Sequence, residues 1–327
     1  MTSQTLIRLK LFAALVALAC GIGAFVTVYL LYQATPAATT TPPASPAAAA
    51  APSTPSAVSV SAPRFPTPPA GALVLGAEAR DLAVGLAASR RESRLALQIS
   101  VLGPDQPASG LSVSVGSATA RACGPGCYAA DVGLDARRVA VTIRGGTRPT
   151  SKVSFVLPAS LDRASAKAFV EKAATTWRSL KTLVNHDRLS SGPGATIHTL
   201  WRFQAPNRYA YEIRHGPRAV SIGPRRWDRL PGHRWQESEQ DPILQPLPLW
   251  QSVSNAHFLG TSTVRGRPVV RASFYDPKIH AWFTIAVDRQ TMHTLDLRMT
   301  ATAHFMHEIY GPFDAPFDIV PPAKASR

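Results

Sequence analysis

Strict alternation of apolar and polar positions begins at Ala72 and recurs in short runs. Leu82, Val84 and Leu86 share one face of a run. So do Leu95, Leu97, Ile99 and Val101, then Leu111, Val113 and Val115, then Val139, Val141 and Ile143, then Val153, Phe155 and Leu157. Successive strand side chains point to opposite sides. Period two broken by Gly/Pro turns therefore predicts an Ig-like antiparallel β-sandwich of about seven strands over 71–158. The alternate positions carry Arg, Ser or Thr and are expected to face solvent.

After Pro158 the period changes. Phe169, Ala173, Trp177, Leu180 and Val184 follow one another at helical spacing, with Ser160 as N-cap and Ser190–Gly194 as terminator. This predicts one amphipathic helix over 160–186. Strand patterns then run almost without a break. Ile197, Thr199, Trp201 and Phe203 alternate with His198 and Arg202, and Tyr209, Tyr211 and Ile213 alternate with Arg208, Glu212 and Arg214. Further strands are expected at 218–222, 225–230, 233–238, 256–264, 267–274, 281–287, 293–302 and 303–310. One long helix and about ten strands give an α+β domain over 159–322. A sheet of that size is expected to curl round the helix as an antiparallel half-barrel.

Leu11–Tyr32 contains no charged residue. Twenty-two helical residues at ~1.5 Å each reach roughly 33 Å, enough to cross a hydrocarbon core. Arg8 and Lys10 precede the run, and no charge follows until Arg64. The positive-inside rule then makes 1–10 a cytoplasmic tail, 11–32 a single transmembrane helix and the remainder extracytoplasmic. A long cleaved signal peptide and lipidation at Cys20 are the alternatives. Residues 33–70 hold ten prolines among Ala, Thr and Ser, which predicts an extended tether between membrane and folded body.

Composition narrows function mainly by exclusion. The 327-residue chain is 45% apolar, with 35 Lys+Arg against 20 Asp+Glu and three cysteines. That excludes wholesale disorder and a cysteine-dense miniprotein. The net charge of +15 is compatible with anionic lipid or wall polymer nearby, and equally with arginine that only supplies solubility. No nucleic-acid partner is expected, because the predicted topology denies access to one. No hydrolase, metalloprotease or phosphate-loop signature occurs, the acidic residues show no obvious pair, and the cluster Glu237, Glu239 and Asp241 reads as solvated. The expectation is a non-enzyme without a cofactor.

Two clusters remain. Cys123-Gly124-Pro125-Gly126-Cys127 lies between predicted strands. Its Gly and Pro permit a tight reversal, and outside a membrane a Cys123–Cys127 disulfide is expected. The spacing is not that of a redox pair, and no histidine precedes His186 to complete a metal set. Met292, His293, Met299, His304, Met306 and His307 fall within sixteen residues, a composition that suits copper. Strand alternation leaves only His304 and Met306 on a common face, too few ligands, while Met299 stays in phase with core positions. No metal is expected, and His304 with Met306 would be the pair if one were bound.

Gln204-Ala205-Pro206-Asn207-Arg208-Tyr209-Ala210-Tyr211, Ile222-Gly223-Pro224-Arg225-Arg226-Trp227 and Gly232-His233-Arg234-Trp235 follow in an order that resembles the LolA/LppX/RseB-like envelope superfamily. Asp276-Pro277, Ala281-Trp282-Phe283 and Ala303-His304-Phe305-Met306-His307 look like the C-terminal region of actinobacterial proteins associated with copper-resistance CopD. Those proteins also carry a CopC/YtkA-like sandwich with a loop like Cys123–Tyr128. The resemblance covers roughly 72–322. It implies a curled sheet wrapped on helices round an apolar cavity. This chain has one candidate span rather than a multi-span channel, and its sandwich lacks an N-terminal histidine and a methionine cluster.

Two functions compete. In the first, the protein carries or senses an apolar ligand, a lipid or a lipoprotein acyl chain, in a cavity lined by Trp177, Trp201, Phe203, Tyr209, Tyr211, Phe274, Phe283, Met299 and Phe305. In the second, it is an interaction module of a copper-handling or other envelope complex and holds no ligand.

Overall fold

The computed structural model describes residues 65–323, except 105, 146–147 and 162–164. The expected tail, transmembrane helix and most of the tether lie outside the described residues. Among those described, no helix is long and apolar enough to cross a membrane.

The alternating runs form nine strands: β1 (Leu73–Ala79), β2 (Leu82–Arg91), β3 (Arg94–Leu102), β4 (Ser112–Val115), β5 (Ala118–Thr119), β6 (Arg121–Gly124), β7 (Cys127–Gly133), β8 (Arg138–Gly145) and β9 (Arg148–Val156). They build two sheets, ordered β1-β2-β3-β7-β6 and β5-β4-β8-β9. The apolar sets read from the sequence meet between them in one core that includes Leu82, Val84, Leu86, Ile99, Val141 and Phe155.

The expectation of a solvated second face fails at β1 and β2. There Ala72, Val74, Ala83 and Ala87 are buried against Tyr275, Trp282 and Phe305 of the following region. The cause is residue size. Gly76 and Gly85 are register partners, and a Cβ at Gly85 would stand 2.1 Å from two ring carbons of Trp282. Small residues make β1–β2 a flat plate on which the Trp282 indole lies.

The helix is shorter than its stripe suggests. α1 spans Lys167–Arg178, with Ala166 at the N-cap and Ser179 at the C-cap. Ser160 does not cap it; the Ser165 hydroxyl accepts the Lys167 N–H at 3.2 Å. Val170, Ala173, Ala174 and Trp177 form its buried face. Val184 lies instead on β10 (Thr182–Ser190). Ser190–Gly194 is therefore not a helix terminator but lies at the β10–β11 hairpin.

From β10 the chain is a meander: β11 (Thr196–Gln204), β12 (Arg208–Ile213), β13 (Arg218–Ile222), β14 (Arg225–Arg229), β15 (Gln236–Glu239), β16 (Ser254–Val264), β17 (Arg267–Asp276), β18 (Ala281–Asp288), β19 (Thr294–Ala301) and β20 (His304–Phe313). All eleven join one antiparallel sheet ordered β15-β14-β13-β12-β11-β10-β20-β19-β18-β17-β16. The edge strands β15 and β16 do not pair, so the sheet stays open. Its centre is the β10–β20 seam, where two local meanders meet. α1 packs on one face, here the inner face, and the sandwich plate packs on the other.

Candidate functional site

Alternation sorts the inner face into two regions. On the β16–β20 side, Phe274, Phe283, Ile285, Leu297 and Met299 are buried together with Trp177 of α1. Trp250 fills the space between them. Its ring centroid stands 5.6 Å from Trp177, 5.3 Å from Phe274 and 6.1 Å from Phe283. Trp177 also meets Tyr310 edge-on at 4.6 Å. Trp250 belongs to a strap of residues 240–253 that crosses the inner face. Gln240 Nε2 donates to Ser221 Oγ (2.6 Å), Gln245 N to Pro206 O (2.9 Å), and Gln251 N to Asp276 Oδ2 (2.7 Å). Aromatic edge contacts and dense burial make this region a packed core.

The β10–β14 side is different. Trp201 and Phe203 share a face of β11, opposite Tyr211 and Tyr209 of β12. Trp201 stacks on Phe203 at 5.8 Å with an interplanar angle of 5°, and its ring lies 4.8 Å from Tyr211. Trp201, Phe203 and Tyr211 are only half-buried, so these rings form a shelf with solvent access. Arg226 of β14 props its far side. Its guanidinium forms a forked pair with Asp228, both bonds 2.7 Å, and donates to the Tyr209 and Tyr211 hydroxyls at 3.1 and 3.2 Å. Burial disfavours the Arg226 charge, but Asp228 more than offsets this and raises its pKa. Burial likewise raises Tyr211, which stays a neutral phenol.

At the foot of the shelf lies a carboxylate pair that no local sequence pattern marks. Asp187 (β10) and Glu308 (β20) are register partners across the seam, 6% and 2% exposed. Burial raises Asp187 to about 7, against a hydrogen bond from Trp201 that lowers it. Burial, then the Asp187 charge, raises Glu308 well above its ordinary value, while a bond from Asn185 opposes the shift. Asp187 Oδ1, Glu308 Oε2 and Asn185 Oδ1 have no hydrogen-bond partner among the described residues. Such acceptors are costly when buried, and protonation of the carboxyls lowers that cost. Trp201 thus links the half-open shelf to a buried titrating pair.

The nine residues proposed to line a cavity are therefore divided. Trp201, Phe203, Tyr209 and Tyr211 form the shelf. Trp177, Phe274, Phe283 and Met299 belong to the packed core. Phe305 lies on the opposite face, against the sandwich. Two surface clefts of about 470 and 490 Å³ are lined by none of the nine. His304 and Met306 do share the inner face, as alternation predicts. His304 Nδ1 lies 3.2 Å from Thr302 O, and burial lowers its pKa. Among the described residues no three His, Cys, Asp or Glu side chains are grouped to hold a metal ion. Cys123 and Cys127 are disulfide-bonded, tying β6 to β7.

No family model matches the sequence, and no curated protein matches it. Thirty-three solved chains are similar in structure. LprF from Mycobacterium bovis is 10% identical with a TM-score of 0.36, covering 49% of this chain and all of its own. The Mycobacterium tuberculosis lipoprotein LppX is 11% identical with a TM-score of 0.35, covering 47% of this chain and 97% of its own. A LolA superfamily protein from Nitrosomonas europaea is 10% identical with a TM-score of 0.23, covering 49% and 96%. Each is similar to about half of this chain.

Proposed function

We propose that the inner-face shelf binds an apolar ligand, a lipid or acyl chain, and that the protein is a membrane-anchored extracytoplasmic carrier or sensor of it. The observation that carries this is the stack Trp201–Phe203 with Tyr211, three large rings left half-exposed on the face that elsewhere is closed by α1 and Trp250. Contiguous aromatic surface left with solvent access is where apolar ligands dock. Residues 11–32 would supply the anchor and 33–70 the reach.

Lipid extraction and mass spectrometry of the purified protein, with an apolar-dye titration, test this. Co-purifying lipid and dye binding weakened several-fold by Trp201→Ala are expected. No lipid, and dye binding indifferent to Trp201, would sink the proposal.

A second reading is favoured by one observation. The space between Trp177 and the sheet is filled by Trp250 and Tyr310 rather than left open. A closed interior suits a protein-interaction module of an envelope complex, which would bind a partner protein and no lipid.

A further inference from the structure

At one end of the large sheet, the β16–β17 turn, the β18–β19 turn and the tail of β20 surround the cleft of about 490 Å³. Its walls are Leu295, Tyr310, Pro312 and Phe313, and its rim carries Arg265 and Arg267. This volume lies within the range of small-molecule sites.

The rim cations are not equivalent. Arg267 Nε pairs with Asp288 Oδ2 at 2.9 Å. Arg265 makes no ion pair among the described residues; its Nη1 donates only to Tyr310 O, at 3.4 Å. His293 stacks on Phe313 at 4.3 Å, and burial lowers its pKa, so it adds an uncharged ring. The nearby Asp314 carboxylate accepts the Lys181 N–H at 2.6 Å. Asp288 and Asp314 act electrostatically on His293 from beside the cleft, Asp288 is paired with Arg267, and Arg265 is the rim guanidinium with no ion-pair partner among the described residues. A guanidinium presents parallel N–H donors that match a carboxylate.

We infer that this cleft binds a carboxylate carried on an apolar body, such as a medium-chain acyl anion. Arg265 holds the head group, and Pro312 and Phe313 receive the chain. The site is separate from the Trp201 shelf and does not depend on it.

The test uses full-length protein in neutral phosphatidylcholine nanodiscs, titrated with carboxyl-labelled decanoate and followed by NMR. Saturable binding is expected. Arg265→Gln should weaken it about tenfold or more, the scale of one charge-assisted pair. Arg265→Lys should lose less, and decanol should not distinguish the proteins. Because the shelf itself accepts acyl chains, the same titrations are run in a Trp201→Ala background, where Arg265-dependent decanoate binding should persist. Thermal melts accompany each variant. If Arg265→Gln melts early, the comparison of Arg265→Lys with wild type against decanoate and decanol decides. In the Trp201→Ala background, decanoate affinity unchanged by Arg265→Gln overturns the inference, as does decanol binding that equals decanoate binding. Loss of all Arg265-dependent binding in that background would place decanoate on the shelf and overturn this site while leaving the shelf proposal standing. Arg265-dependent binding to phosphatidylglycerol vesicles without decanoate binding would show a membrane contact instead, and would also overturn it.

Discussion

Asp187 and Glu308 face each other across the β10–β20 seam, one carboxyl from each half of the eleven-stranded sheet. Both are held protonated by burial to pH values where the unfolded chain has released its protons. The native state therefore binds more protons than the unfolded state from about pH 4 up to about 7 for Asp187. Stability falls as pH rises through that window, by about 1.4 kcal/mol per pH unit for each such group. Melting temperatures measured from pH 4 to 8 should decline on this account. The double variant Asp187→Asn, Glu308→Gln should flatten the profile. A wild-type profile as flat as the variant's would count against a protonated pair.

Trp177→Ala removes a ring that is 5% exposed and in contact with both Trp250 and Tyr310. A packed site loses about 3–5 kcal/mol on such a change. Denaturant melts measure it. A loss below about 1 kcal/mol would mean the rings around Trp177 close the gap or a ligand occupies it.

Arg226→Ala should act on binding more than on folding. The side chain is 20% exposed and its partner Asp228 is 43% exposed, so solvent screens the pair and its stability contribution is about 1 kcal/mol. Without the guanidinium the two tyrosine hydroxyls lose their donor and the shelf loosens. Several-fold weaker apolar-dye binding with a small melting shift is expected. Unchanged dye affinity would show that the shelf holds its shape without Arg226.

Gly85→Ala places a methyl group 2.1 Å from the Trp282 indole, which must move. Overpacking of this kind costs about 1–3 kcal/mol or more. Trp282→Leu in the same chain should recover part of the loss, because it frees the space over β2. No recovery in a double-mutant cycle would mean the two positions are uncoupled.

Reduction of Cys123–Cys127 should matter little for global stability. The bridge closes a loop of only five residues, for which chain entropy predicts about 2 kcal/mol or less. A small melting shift under reductant, with two thiols appearing only after reduction, is the expected result. Collapse of the fold on reduction would contradict it.

The strand edges from β12 to β18 are legible because alternation is broken by Gly- or Pro-bearing turns, whereas the β18–β19 and β19–β20 turns carry neither and are read from alternation alone. The helical stripe overruns the helix itself for a specific reason. β10 points Asn185 and Asp187 into the interior, so its period-two signal is hidden from any hydrophobicity pattern. Leu180 and Val184 meanwhile fall by coincidence on the helical stripe. The same polar residues make the seam, and their partner Glu308 stands 121 positions away, which no local pattern connects. Trp250 was missed because its Pro-rich strap reads as a loop. Only tertiary hydrogen bonds, such as Gln251 N to Asp276, seat it. The shelf residues were identified individually, but their separation from Phe274, Phe283 and Met299 depends on where α1 ends.

The plate of Gly76, Ala83, Gly85 and Ala87 has a consequence for how this polypeptide can be handled. Trp282, Tyr275 and Phe305 are covered only while β1 and β2 lie against them. A cut near residue 158 would leave one fragment with a bare aromatic back and the other with a bare aliphatic plate. Both surfaces invite self-association. The sandwich and the large sheet belong to one compact unit, Ser61–Arg327, and should be expressed and unfolded as one. A single cooperative melting transition for Ser61–Arg327 follows, with aggregation of either half made alone.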